Sequence, residues 1–159
     1  MTPRVVIAFG SNLGDRAETI VAAAREIADL PGVELTAVST LHETPALKPH
    51  GVDLAAPAYL NAIAIVETDV DPHELLASLR EIEQAHGRVR EERWGDRTLD
   101  LDIIDADGIE VSTDDLTLPH PRAHERAFVL EPWLEVDPDA TLSGRRVSDL
   151  LDALPEAPR

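Results

Sequence analysis

The sequence predicts an α+β sandwich, and three observations predict it. Four apolar or β-branched runs read as strands, and two segments with helical spacing lie between them. Their order along the chain is β-α-β-β-α-β, the split βαβ order that builds an antiparallel sheet with helices on one face. The 159 residues, 43% apolar and 28% charged, fit one soluble globular domain spanning 1–159.

Each element has a local reason. Residues 4–9 (RVVIAF) are a short apolar run ending at Gly10 and read as a buried strand. Asp15 with Glu18 three residues later is a capping-box start. Ile20, Ala24, Ile27 and Leu30 then keep helical spacing until Pro31-Gly32. Residues 33–40 are β-branched and alternating, the pattern of a second strand. Residues 41–57 hold three prolines, a glycine, two histidines and the only lysine, Lys48, and read as a long irregular loop. Residues 59–68 (YLNAIAIVET) are the third strand. Asp71-Pro72-His73-Glu74 supplies an N-cap, a proline at the first helical position and an acid in the first turn. Leu75, Leu76, Leu79 and Ile82 line one side of that helix, which ends at Gly87. After a charged loop at 88–97, residues 99–105 (LDLDIID) are the fourth strand. Asp107-Gly108 is a hairpin signal with a return strand at 109–111. Beyond it, Ala127, Leu130 and Leu134 keep helical spacing, and a short helix near 147–154 closes a C-terminal hairpin and helical extension. The whole order is that of a ferredoxin-like sandwich, a fold that many functions share.

Charge narrows the function. Lys plus Arg is 14 against 31 Asp plus Glu, a formal charge of −17. That balance argues against nucleic-acid and anionic-membrane partners, which need a basic surface. With no cysteine there is no disulfide framework, no thiolate metal site and no cysteine nucleophile. No apolar run reaches the ~18 residues of a membrane span, and no leader pattern opens the chain, so a cytoplasmic protein is expected.

The sharpest chemical feature is Asp100-Leu101-Asp102. Strand period is two, so both carboxylates share a face, about 6.6–6.8 Å apart along the chain. Two like charges on a half-buried face are costly without a cation, and magnesium takes one or two carboxylates plus phosphate oxygens. The other reading is a solvated acidic pair or partners of nearby arginines. Arg88, Arg90, Arg93 and Arg97 precede the pair, and guanidinium forks suit phosphate. Local acids (Glu91, Glu92, Asp96) keep a second reading open, a solvated loop of ion pairs. Gly10-Ser11-Asn12-Leu13-Gly14 is a turn after the first strand. No G-x-x-x-x-G-K-[ST] and no G-x-S-x-G is present.

Together, FGSNLGDR (9–16), ETPAL (43–47), YLNA (59–62), GRVREERWGDRTLDLDI (87–103) and LTLPHPRAHERAFVL (116–130) resemble the 6-hydroxymethyl-7,8-dihydropterin pyrophosphokinases of folate biosynthesis. The resemblance implies a ferredoxin-like enzyme that transfers pyrophosphate from ATP to the pterin hydroxymethyl group and releases AMP. It implies Asp100 and Asp102 as ligands of two Mg²⁺ ions, and Arg88 and Arg97 as neutralisers of the transferring group. On the ATP side it implies Glu83, Arg90, Arg93, Thr117, His120 and Arg126. On the pterin side it implies Thr44, Pro45, Leu47, Tyr59, Asn61, Trp94 and Phe128. A flat ring stacks on aromatic side chains, and an asparagine can both donate to and accept from its amide-like edge. The partners so implied are small molecules, with a monomer expected and no nucleic acid or membrane. Loops 47–57 and 88–97 are expected to close over the ligands. Departures from some relatives are the absence of a lysine in the loop after Gly87, Asp115 where an arginine occurs, and Pro121 after His120. The alternatives are a different Mg²⁺-dependent phosphoryl-transfer or hydrolytic enzyme using the same acids, and a ferredoxin-like ligand sensor.

Overall fold

β1 (Arg4–Ser11) is apolar on both faces and lies inside the sheet of this computed structural model. The structure describes residues 3–11, 15–44, 46–48, 51–53, 59–86, 99–107 and 109–154. α1 (Arg16–Ala28) starts where Asp15 accepts a hydrogen bond from the Glu18 amide, as the capping signal predicts. β2 (Val33–Val38), β3 (His42–Thr44), β4 (Ala46–Lys48) and β5 (Gly51–Asp53) lead to the long β6 (Tyr59–Thr68). α2 (Pro72–Ala85) is capped by Asp71, whose side chain accepts from the His73 amide. β7 (Asp100–Ala106) follows, then β8 (Val111–Ser112), β9 (Thr117–Leu118), a 3-10 turn (Ala123–Glu125) and α3 (Ala127–Val136). β10 (Thr141–Leu142), β11 (Arg145–Arg146) and α4 (Val147–Asp152) close the described chain.

The main sheet runs β2-β6-β1-β7, with every neighbouring pair antiparallel. On its first face Val5, Ile7, Phe9, Ala62, Ala64 and Leu101 meet the apolar sides of α1 and α2. Both helices lie there, as expected. The second face is covered as well: Val6, Ile63 and Ile104 pack against Val129, Leu130 and Trp133 of α3 and against α4. The C-terminal extension is therefore the second layer of the core, because β1, β6 and β7 are apolar on that side too.

Three sequence expectations change. Residues 41–57 are not wholly irregular: β3 pairs with the first residues of β6, and β4 pairs with β5. β6 outruns β2, and β3 satisfies the backbone that β2 leaves open on the same edge. Ser39 bridges the gap, its amide donating to Ile63 O at 2.8 Å and its hydroxyl accepting from Ile63 N at 2.9 Å. The second strand accordingly ends at Val38 rather than at residue 40. The hairpin expected at 107–111 is also replaced. Ile109 N donates to Ala106 O in a turn, and Val111 pairs with Leu118 of β9. The outer edge of β7 is occupied otherwise: the Leu101 amide donates to Glu83, Arg80 donates to Leu101 O, and His120 N donates to Ile104 O.

The two-sided core predicts a single cooperative unit. Leu130 is fully buried on the second face, so Leu130→Ala should cost about 2–5 kcal/mol of unfolding free energy. Urea denaturation should show this in one transition; a loss under about 1 kcal/mol would mean that the extension is not part of the core.

Candidate functional site

Strand alternation assembles the site on the second face. Asp100 and Asp102 project there, opposite Leu101 and Ile103, which are buried with the helices on the first face. In the neighbouring β1, Gly10 lies between Asn61 of β6 and Asp100 of β7. A methyl group built at Gly10 would stand 3.6 Å from Asn61 Oδ1, 3.8 Å from Tyr59 and 3.9 Å from Asp100. Gly10 thus forms a low floor between an amide-and-ring side and a carboxylate side. Any larger side chain would occupy the space between the two sides.

On the amide side, Asn61 is buried, and its Nδ2 donates to Thr44 Oγ1 at 2.8 Å and to His42 O at 3.4 Å. These bonds use the donor end, so Oδ1 is the acceptor turned to the Gly10 floor. Thr44 and Tyr59 face each other across the β3–β6 pair. Phe128 is 37% exposed, unusual for a large aromatic, and the Arg126 guanidinium lies 5.5 Å from its ring centroid.

On the carboxylate side, burial pushes the Asp102 carboxyl up to about 6. Asp100 adds to the rise, while Arg80 and Arg126 oppose it. Burial lowers the Arg126 pKa, and Asp102 counters that most strongly. His120 is pushed down to about 4 by burial, then by Arg126 and Arg122, so it is neutral at pH 7. Its Nδ1 accepts the Arg122 amide at 3.1 Å, which leaves Nε2 carrying the proton as an uncharged donor. The bulge in β7 explains its place. Ile103 pairs with Ile7 and Asp105 with Val6, so Ile104 is an extra residue whose carbonyl accepts from His120 N at 2.8 Å.

Glu83 sits in the interior and is bonded to the strand that carries the two aspartates. It is 1% exposed, and its carboxylate accepts from Leu101 N at 2.8 Å and pairs with Arg80 at 2.9 Å. Arg80 also donates to Leu101 O at 2.8 Å. The pair grips the residue between the two aspartates and supports the strand from which both project. Sequence reasoning missed Arg80; its only signal was the three-residue spacing to Glu83 on a helix. Thr117 stands exposed on β9. Arg88, Arg90, Arg93, Trp94, Arg97 and Pro45 lie outside the described residues, as does the expected closure of 88–97. Leu47 is described only as paired with Val52.

Two carboxylates on one strand face suit a hard divalent cation that takes its other oxygens from phosphate and water. Among the described residues no group of three or more His, Cys, Asp or Glu could hold a metal alone. A cavity of about 700 Å³ lies elsewhere, lined by Arg4, Asp105, Asp107, Asp137 and Asp139 among others, and by none of the expected site residues. No described helix is long and apolar enough to cross a membrane.

The chain is similar to known proteins over most of its length. The family model described as 7,8-dihydro-6-hydroxymethylpterin-pyrophosphokinase (HPPK) matches residues 6–138. The chain is 40% identical to the 2-amino-4-hydroxy-6-hydroxymethyldihydropteridine pyrophosphokinase of Methylorubrum extorquens, covering 95% of this chain and 93% of that one. It is 43% identical to the enzyme of that name from Mycobacterium bovis, covering 98% and 86%. Among solved structures, wild-type Plasmodium falciparum HPPK-DHPS with pteroate superposes with a TM-score of 0.72 at 15% identity. That match covers 96% of this chain but 42% of the longer one, and at such identity it shows the fold alone.

The Asp102 environment predicts a pH signature in chelator. The folded pKa of about 6 lies above the ordinary 3.8. Its ionisation therefore opposes folding fully above about pH 6, and the opposition disappears as pH falls toward 4. Asp102→Asn should be more stable than the parent at pH 7.5, with the gain shrinking by pH 4.5. Urea denaturation at both pH values checks this, and an equal difference at both would contradict it.

Proposed function

Because this chain belongs to the 7,8-dihydro-6-hydroxymethylpterin-pyrophosphokinase family, we propose that it transfers pyrophosphate from ATP to 6-hydroxymethyl-7,8-dihydropterin in folate biosynthesis, giving the pterin diphosphate and AMP. The observation that carries the reading is the row Asn61–Gly10–Asp100 across three strands. It supports a ring-binding side directly beside a phosphate-and-metal side, as a reaction joining a pterin to a polyphosphate requires.

Asn61 Oδ1 and the Thr44 hydroxyl recognise the polar edge of the pterin, and Tyr59, Phe128 and Trp94 flank its face, with Pro45 and Leu47 completing that side. The hydroxymethyl oxygen bonds to the β-phosphorus as the bond to the AMP oxygen breaks, and the hydroxyl proton passes to solvent. Asp100 and Asp102 would hold Mg²⁺, two ions on this reading, which would supply positive charge at the phosphate oxygens and acidity at the attacking hydroxyl. Arg126 supplies fixed positive charge beside Asp102, and neutral His120 offers a hydrogen bond without repelling it. Arg88 and Arg97 neutralise the transferring group, while Arg90, Arg93 and Thr117 contact ATP. Glu83 belongs to the ATP side as well and, with Arg80, holds Leu101. Such transfer needs little covalent chemistry from protein, and positioning and charge stabilisation do most of it. The β2-β6-β1-β7 order with antiparallel neighbours supports the ferredoxin-like reading of the sheet.

AMP formation should require ATP, Mg²⁺ and the hydroxymethyl pterin together. Asp100→Ala or Asp102→Ala should lower turnover by about 10²–10³-fold or more while the protein stays folded. AMP or ADP release from ATP alone would instead mark a hydrolase. Asn61→Leu should weaken pterin binding by about 1–3 kcal/mol and leave the nucleotide nearly unaffected. Calorimetric titration separates the two ligands, and equal losses would contradict the assignment of the sides.

A further inference from the structure

One carboxylate ties the two walls of the proposed pterin side together from outside it. Glu135 lies in the last turn of α3, where the helix dipole disfavours an anion. Three donors converge on it: the Thr40 amide at 2.6 Å, the Thr40 hydroxyl at 2.7 Å and His42 Nε2 at 2.9 Å. These bonds hold its carboxyl down to about 2, so it is an anion across any ordinary assay range. Thr40 lies in the gap between β2 and β3 and His42 opens β3, at the stretch where the β6 edge changes partner strand. Downstream, β3 ends at Thr44, which accepts from Asn61. In α3, Phe128 precedes Glu135 by seven residues, two helical turns, so both lie along one side of the helix about 10 Å apart. One end of α3 thus presents the exposed aromatic, and the other grips the start of the strand that carries Thr44.

We propose that Glu135 is a positioning residue for the pterin: by holding Thr40 and His42 it fixes β3 relative to α3, and with them the spacing between Thr44–Asn61 and Phe128. This rests on the reading of those three residues as the pterin side. Held at the correct width, the slot meets the ring without first being ordered. Released, β3 and α3 shift independently, and ring binding bears the cost of ordering them. The nucleotide side, on β7 and the segment around His120, is anchored through Leu101 and Ile104 and does not depend on this grip.

The test is calorimetric titration of the hydroxymethyl pterin, with Mg²⁺ and a non-hydrolysable ATP analogue present, and of the Mg²⁺–analogue complex alone. Glu135→Ala should bind the pterin roughly tenfold more weakly and the nucleotide within about twofold of the parent. Glu135→Gln keeps an acceptor oxygen and should recover part of the loss. In a cycle with Phe128→Ala, the double variant should lose less than the product of the single losses, since removing the ring removes what the grip positions. If Glu135→Ala does not fold, Thr40→Val keeps the amide bond, drops the hydroxyl bond and should show a smaller loss confined to the pterin. Unchanged pterin affinity in the variants, equal losses for both ligands, or strict additivity with Phe128→Ala would overturn the grip while leaving the site reading intact. A parent protein that binds no pterin would overturn both.

Discussion

Two carboxylates held on one face of an edge strand, with Arg126 and Arg80 as the opposing charges, are the constraint around which this molecule is arranged. Asp100 and Asp102 repel each other, and burial makes Asp102 costly to ionise. The strand could relieve that cost by twisting away. It is held instead by Leu101 and Ile103 in the core beneath, by Glu83 and Arg80 at the Leu101 backbone, and by the His120 amide at the Ile104 carbonyl. The packing of the first face is thus what maintains the repulsion on the second. On the proposed reading a divalent cation and a polyphosphate would relieve that repulsion, because the charges that oppose folding would then favour binding.

The second face also explains why the C-terminal extension packs as one unit with the sheet. Trp133 and Leu130 anchor α3 on β1, β6 and β7. That anchoring brings Arg126 beside Asp102 and leaves Phe128 exposed near the same end of the helix. In a protein of net charge −17, the placement of a few cations matters more than their number. Arg126 and Arg80 approach the carboxylate pair from different elements, so neither the sheet nor the extension alone supplies the local balance.

Much of this was legible in the sequence where a local rule governs the outcome. Asp15 and Asp71 cap the helices that their motifs announce, and period-two alternation puts both aspartates on one face, as it does Tyr59 and Asn61. Tertiary partnership was not legible. A glutamate on a helix reads as surface, yet Glu83 is buried because an edge strand offers it an amide. β3 is three residues long with no alternation to detect, and it forms because β6 outruns β2. Glu135 and Thr40 are 95 positions apart, and nothing local links them. Residues whose partners lie far away in sequence are therefore harder to read than those placed by a local rule.

The central claim is that Asp100 and Asp102 together hold the metal that engages the transferring phosphates. The most direct test is a crystal structure of the protein with Mg²⁺, a non-hydrolysable ATP analogue and the hydroxymethyl pterin. The account predicts metal density in contact with both carboxylates and with phosphate oxygens, the pterin lying on the Asn61 side of Gly10. Nucleotide and pterin bound with the metal held by other residues, and the two aspartates turned to solvent or to arginine alone, would contradict it.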